Sequence, residues 1–348
     1  MLQLFIYDKP FQLESGDTLD GFQLAYHTFG RLNEKRDNII WIIHALTANS
    51  NPTEWWPEIV GNNKAIDPEK HFIICANMLG SPYGSTNPLS INPKTGDPYF
   101  HDFPLLTNRD IVRSYDLLRQ YLQIDNIKLL LGPSLGGQQA LEWSIININI
   151  DHLILLATNA RHSPYGIAFN ESQRMAISLD PTWKENHPEA GLNGMKVARS
   201  IGMLSYRSYH GYQQTQLDLD IKIDQYLASS YQNYQGEKLA KRFNAFSYWI
   251  LTKAMDSHHV GRGRNGIQNA LKMIRVNTTI ISIDSDVLFP HEDQKLLYNA
   301  IPNNTHIGII SEYGHDGFLI ESQQITSIIH KVLASTTPTL SVKPTRSA

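Results

Sequence analysis

The sequence predicts an α/β fold in which a mostly parallel central sheet carries helices on both faces and a helical segment is inserted late in the chain. Short apolar runs rich in Ile, Leu and Val recur with helix-compatible sequence between them, the pattern of parallel strands buried on both faces and joined by crossover helices. From about residue 163 to about 266 those runs stop, and Gln- and Tyr-rich, helix-favouring sequence takes their place. An α/β unit returns to its sheet after a few loop residues, so about a hundred residues without a strand is an insertion.

The elements follow in order. Phe5 to Tyr7 and Gln23 to Phe29 read as strands of an antiparallel hairpin or meander, with Asp17 to Gly21 as a turn. Ile39 to Ile43, Phe72 to Ala76, Ile127 to Leu131, Leu153 to Ala157, Thr279 to Ile283 and His306 to Ile310 read as the strands of the main sheet. Asn77 to Thr107, dense in Pro, Gly, Asn and Ser, reads as an ordered loop leaving a strand end, and such loops often carry function. The chain thus divides into a discontinuous α/β domain (1–162 and 267–334), a helical cap (163–266) and a Ser-, Thr- and Pro-containing tail (335–348) expected to fray.

Composition excludes several classes of function. With 30 basic and 33 acidic side chains the formal charge is −3, and without a long basic run the phosphate-neutralising footprint of a nucleic-acid binder is missing. No apolar stretch approaches the roughly 20 residues of a membrane helix. Met1-Leu2-Gln3-Leu4 lacks the basic start and small-residue cleavage site of a signal peptide. The expectation is a cytoplasmic protein without membrane contact. A single cysteine, Cys75, lies in the apolar run Phe72 to Ala76 and reads as a small buried hydrophobe.

The chemistry centres on Gly132-Pro133-Ser134-Leu135-Gly136, a G-x-S-x-G between an apolar strand run and a helix-compatible continuation. A serine on so sharp a turn needs glycines two positions before and after it, because side chains there would collide. The bare pattern is weak, since a serine that merely caps a helix gives the same letters; the strand before and helix after it make Ser134 a nucleophile. A serine hydroxyl needs a positioned base, itself oriented by a carboxylate, and on this kind of scaffold the acid and histidine follow later at strand ends. Asp284-Ser285-Asp286 follows one strand run, and Gly314-His315-Asp316 follows the next. His315 is the base. Asp284, nearer the strand, is expected to bond the backbone, which leaves Asp286 in the turn as the acid. For the developing oxyanion two amides are required, and Leu135 after the nucleophile and Leu46 in the loop after Ile39 to Ile43 are assigned. His44, directly after that strand, reads as a brace for the loop.

Two decoys are set aside. Gly261-Arg262-Gly263-Arg264-Asn265-Gly266 matches G-x-G-x-x-G but does not follow an apolar strand, so no dinucleotide site is expected. His258 and His259 are adjacent and do not share a helix face, so no metal site is expected.

With elbow, acid and histidine in place, the sequence resembles the homoserine O-acyltransferase family of the α/β-hydrolase superfamily, most of all its homoserine O-acetyltransferase branch, over about residues 23 to 321. The resemblance is carried by the elbow and by His44-Ala45-Leu46-Thr47, Tyr83-Gly84-Ser85-Thr86, Asn92-Pro93-Lys94-Thr95-Gly96, Leu204-Ser205-Tyr206-Arg207-Ser208, Met255-Asp256-Ser257-His258-His259-Val260-Gly261-Arg262-Gly263-Arg264, Ser285-Asp286-Val287-Leu288-Phe289-Pro290 and Gly314-His315-Asp316. It implies an α/β-hydrolase fold in which acetyl-CoA acylates Ser134 and the acetyl group passes to the hydroxyl of L-homoserine, a step of methionine biosynthesis. It further implies no cofactor beyond the acetyl-CoA co-substrate, a homodimer with the caps contributing to the interface, Arg207 on the amino acid's carboxylate and Asp316 facing its ammonium. A guanidinium grips a carboxylate bidentately, which makes the first role physically apt. Arg262 and Arg264 are candidates for the phosphates of CoA.

The sequence departs from the family pattern in places. Pro133 and Leu135 stand where many members have Gly and Met, and Asn244 and Phe246 stand where an Asp and an Asn are common. The chain ends soon after the histidine loop, so no C-terminal regulatory domain is expected. A succinyl donor, a serine acceptor and a plain esterase stay open at this point, because fold and triad do not choose the acceptor. A non-catalytic binding protein would be expected to lose a triad member.

Overall fold

The computed structural model describes residues 1–146 and 149–335, so the expected fraying of 336–348 lies outside the described residues. Among the described residues ten strands are formed: β1 (Leu2–Tyr7), β2 (Phe11–Gln12), β3 (Thr18–Leu19), β4 (Phe22–Phe29), β5 (Ile39–Ile42), β6 (Phe72–Ala76), β7 (Asn126–Pro133), β8 (Asn149–Leu156), β9 (Asn277–Ile283) and β10 (Asn304–Ile309). Eight of them make one sheet in the order β1-β4-β6-β5-β7-β8-β9-β10. β4 runs antiparallel to both β1 and β6, and every pair from β6 to β10 is parallel.

The apolar runs are continuous because the sheet is buried on both faces, and successive side chains serve different cores. Trp41 and Leu130 enter one apolar cluster, while their neighbours Ile40, Ile42, Leu129 and Leu131 enter the other. The first cluster is covered by α2 (Asn108–Tyr121), α3 (Leu135–Ile145), α9 (Ile267–Lys272) and α10 (His291–Ala300). The second is covered by the segment following α1 (Pro52–Trp55), by α11 (Gly317–Ile320) and by α12 (Ser322–Ser335). Full burial of one such Leu, Ile or Phe is worth about 1.5–3 kcal/mol, which fixes the strand register. α2 starts where it does because Thr107 and Asp110 satisfy each other's backbone N–H in a capping box.

One reading is corrected. Asp17 to Gly21 is not a plain turn: Thr18–Leu19 forms β3 and pairs antiparallel with β2, setting Leu19 opposite Phe11 with both side chains buried. Two-residue strands are too short to show the alternation by which a strand is recognised.

Between β8 and β9 come α4 (Pro164–Ser178), α5 (Leu192–Tyr206), α6 (Tyr209–Gln216), α7 (Leu227–Ala240) and α8 (Ala245–Asp256). Ile177, Met195, Leu239 and Phe246 of this segment continue the first apolar cluster, so it is seated on the α/β body by the same burial that holds the sheet. Arg174 on α4 is buried and donates to Asp256 on α8 at 2.5 Å and to Glu171, giving the charge the partners it needs away from water.

Candidate active site

Ser134 stands between β7 and α3 with φ 58° and ψ −125°, a strained backbone for a residue with a side chain. The glycines around it make that geometry possible. A Cβ on Gly132 would sit 2.3 Å from the carbonyl oxygen of Gly136, and one on Gly136 would sit 2.3 Å from that of Ile43. The Ser134 side chain caps nothing on α3. Instead its Oγ lies 2.8 Å from His315 Nε2, and His315 Nδ1 lies 2.7 Å from Asp286 Oδ2.

His315 sits in a 3₁₀ turn, Gly314–Asp316, after β10, and Asp286 lies in the turn after β9. All three side chains are therefore delivered by turns after β7, β9 and β10, on the side of the sheet where open α/β folds bind ligands. All three are buried. The imidazole is walled by Phe289, Phe318 and Tyr206, with ring centroids 5.0, 5.3 and 6.1 Å away. Asp284 takes the other part expected of it, accepting from the Ser311 N–H at 2.9 Å.

Leu46 and Leu135 are buried, and neither N–H meets a protein acceptor among the described residues. Unpaired buried amides are rare, and two beside a serine are suited to a ligand's oxygen. His44 braces the loop from below. It donates from Nδ1 to Ala45 O at 2.8 Å, and its Nε2 accepts from the Met78 N–H at 3.3 Å. Complete burial pushes its pKa down to about 4, so it stays neutral, and with both ring nitrogens engaged by backbone it has none left to serve as a second base.

A cavity of about 460 Å³ opens above Ser134 and His315 and is lined also by Leu46, Tyr206, Arg207 and Asp316. Arg207, at the end of α5, donates from Nε to Asp316 Oδ2 at 2.8 Å, so the two residues assigned to a zwitterion stand beside the histidine as an ion pair.

The basic pair Arg262 and Arg264 does not lie there. Arg262 grips both oxygens of Glu14, at 2.9 and 2.8 Å, and Arg264 grips both of Glu142, at 2.9 and 2.5 Å. Burial pushes the Glu142 carboxyl up, but Arg264 and Arg109 outweigh it and hold the carboxyl below its usual range. These guanidiniums staple the loop after α8 to α3 and to the N-terminal hairpin, and they are not among the cavity's lining. Sequence reading instead missed Arg199, Lys238 and Arg242, which do line it. The sequence holds little signal for them: Lys238 and Arg242 are four apart, but Arg242 lies past the end of α7, so the spacing marks no shared helix face. Among the described residues no three His, Cys, Asp or Glu side chains group as metal ligands, and no helix is long and apolar enough to cross a membrane.

A strained serine elbow on a mostly parallel sheet, with a histidine and an aspartate from later strand ends, defines an α/β-hydrolase-fold protein, and residues 38–322 match the family model for that fold. The chain is 48% identical to the homoserine O-acetyltransferase of Cyclobacterium marinum over 94% of this chain and 93% of that one, and 42% identical to that of Trichormus variabilis over 92% and 90%. Its fold superposes on the crystal structure of homoserine O-acetyltransferase from Bacillus anthracis with a TM-score of 0.87, at 25% identity, over 98% and 99% of the two chains. The chain belongs to the homoserine O-acetyltransferase family, a family of acyltransferases, as its motifs led us to expect.

Proposed function

We propose that the chain transfers an acetyl group from acetyl-CoA to the hydroxyl of L-homoserine by a ping-pong mechanism, giving O-acetyl-L-homoserine and CoA. The observation that carries this reading is one cavity holding both the Ser134–His315 pair and the Arg207–Asp316 ion pair. His315 takes the Ser134 proton as Oγ attacks the thioester carbonyl, and the Leu46 and Leu135 amides receive the oxyanion. The tetrahedral intermediate collapses, the C–S bond breaks, and the thiolate leaves with the proton from His315. Homoserine then enters, His315 takes its hydroxyl proton, and the alkoxide attacks the acyl-serine. Collapse returns the proton to Ser134 Oγ. Asp286 holds the imidazole tautomer and stabilises its cation throughout.

Arg207 offers the carboxylate of homoserine its guanidinium, and Asp316 offers the ammonium its carboxylate. An esterase acting on neutral esters has no use for such a clamp, which favours transfer over hydrolysis. Arg199 and Lys238 suit a donor carrying phosphates, since neither is paired with a carboxylate among the described residues. We read 163–266 as the cap that closes the α/β catalytic domain (1–162 and 267–334), with no cofactor beyond the co-substrate and a cytoplasmic site of action. The arm Leu217-Asp218-Leu219-Asp220-Ile221-Lys222-Ile223 alternates apolar and charged residues, yet all four apolar side chains are exposed, which supports a homodimer built on the cap.

Initial rates with acetyl-CoA or succinyl-CoA, and homoserine or serine, test the reading by following thiol release. Acetyl-CoA with homoserine should be the fastest pair, and incubation with acetyl-CoA alone should add one acetyl mass to the Ser134 peptide. Rapid thiol release in buffer, indifferent to homoserine, would establish the esterase instead.

A further inference from the structure

The loop that carries the Leu46 amide is held on two sides. Ala45 to Ala48 form a tight turn closed by the Ala48 N–H on Ala45 O at 3.0 Å, so Leu46 and Thr47 are its central residues. His44 holds the turn at Ala45 O. At its other end the Thr47 carbonyl accepts from Arg242 Nη1 at 2.5 Å, and the same nitrogen meets the Tyr83 hydroxyl, which itself lies 3.5 Å from Thr47 O.

Arg242 belongs to the inserted segment, between α7 and α8, 195 residues from Thr47. Phe243 beside it packs edge-on against the Tyr83 ring at 5.8 Å. Tyr83 is fixed in turn: its carbonyl accepts from Asn77 Nδ2 at 2.7 Å, and Asn77 bonds both the N–H and the hydroxyl of Ser50 at 2.8 Å. The body of the protein therefore fixes Tyr83 and the far end of the loop, and the inserted segment supplies the cation that grips the middle.

An amide stabilises an oxyanion only when its N–H is already aimed, because the benefit comes from dipoles that need not reorganise during the reaction. Leu46 N–H and Thr47 C=O belong to the two outer peptide planes of one four-residue turn, so a bond that stops the second from rotating restrains the first. The bond is charge-assisted, and such bonds are roughly twice as strong as neutral ones. Arg242 is exposed and forms no ion pair with a carboxylate among the described residues, so its charge is free for this contact.

We propose that Arg242 is a positioning residue that aims the Leu46 amide through Thr47, so that the oxyanion-binding pair is aligned only while the inserted segment is seated. This rests on the reading of Leu46 N–H as an oxyanion donor.

The test uses the full chain as wild type, Arg242→Ala and Arg242→Lys, with two measurements on each: pre-steady-state acylation of Ser134 by acetyl-CoA, and affinity for a short alkylboronic acid, which forms a tetrahedral adduct on the serine. Arg242→Ala should slow acylation about 10- to 100-fold with little change in donor KM, and should weaken the boronic acid by a similar factor. Arg242→Lys should recover part of both, since an ammonium keeps the charge that Thr47 O accepts from but lacks the rigid, planar guanidinium that fixes the donor nitrogen. Tyr83→Phe, which keeps the ring and removes one end of the clamp, should move both readouts the same way by less, and it decides the matter if Arg242→Ala does not fold. Normal acylation and boronic-acid binding in Arg242→Ala, or a change confined to donor KM, would overturn the proposal. A wild type that acylates Ser134 but does not bind the boronic acid would overturn the oxyanion assignment beneath it, whereas no acylation at all would overturn the proposed function itself.

Discussion

Asp286 divides its carboxylate between the backbone and the histidine: Oδ1 accepts from the Leu288 and Phe289 N–H groups at 2.9 Å each, while Oδ2 meets His315 Nδ1 at 2.7 Å. The two amides fix the carboxylate's plane, and the carboxylate fixes the imidazole so that Nε2 faces Ser134. Asp286→Asn keeps the shape but offers an NH₂ or a neutral oxygen where an anion stood. It should fold normally and lower kcat about 10³- to 10⁴-fold, read by steady-state kinetics beside a thermal melt. Asp284→Ala should instead cost stability with far less effect on kcat, because it leaves the Ser311 N–H without the carboxylate oxygen it donates to.

The elbow glycines make a stability prediction. A methyl group on Gly132 would have to displace backbone at 2.3 Å, so Gly132→Ala should destabilise the fold by at least about 3 kcal/mol or abolish soluble expression. Gly96 has a positive φ, +81°, but open space around it, so Gly96→Ala should cost only about 1 kcal/mol. Urea midpoints of the two variants check the contrast.

That contrast bears on what could be read from the chain. The elbow was legible because steric need dictates its letters, and Asp286 and His315 were legible because strand ends deliver them in a fixed order. β2 and β3 were not, since a two-residue strand has no period. Arg242 was passed over because its partner is the Thr47 carbonyl, a backbone atom that no residue type announces. Arg262 and Arg264 misled for the opposite reason: a conspicuous basic pair shows its charge in the sequence, but not the carboxylates of Glu14 and Glu142 that the fold brings to it.

Buried histidines predict the response to acid. Burial lowers the pKa of His44 and His258 to about 4 and of His162 to about 3, from 6.5. The unfolded chain therefore binds more protons between those values, so the stability these residues contribute is complete above pH 6.5 and is lost as pH falls toward 4 and 3. Each adds about 1.4 kcal/mol per pH unit to the slope across its window. Urea midpoints should drop steadily from about pH 6.5 to about pH 5. His258→Gln, whose amide can still donate to Asn159 O as His258 Nε2 does, should flatten that drop; an unchanged slope would remove His258 from the account.

The proposed role of Arg207 lets the binding of the acceptor be separated from the chemistry. Its Nε is engaged by Asp316, and its two terminal nitrogens have no hydrogen-bond partner among the described residues, so part of the guanidinium fork remains free for a carboxylate. An α-carboxylate entering the cavity must give up its hydration, which is tolerable only where a fixed cation replaces it. Truncating one member of such a desolvated charged pair costs about 2–5 kcal/mol, so Arg207→Ala should depress kcat/KM for homoserine by roughly two to three orders of magnitude. Acylation of Ser134 by acetyl-CoA should survive, because in the proposed mechanism the thioester does not use this contact. Both rates must be measured on the same variant. Loss of both would show that Arg207 supports the cap or the donor, and loss of neither would remove it from the acceptor site. Arg207→Lys should restore only part of the acceptor rate, since a single ammonium cannot hold Asp316 and grip a carboxylate with two parallel N–H bonds.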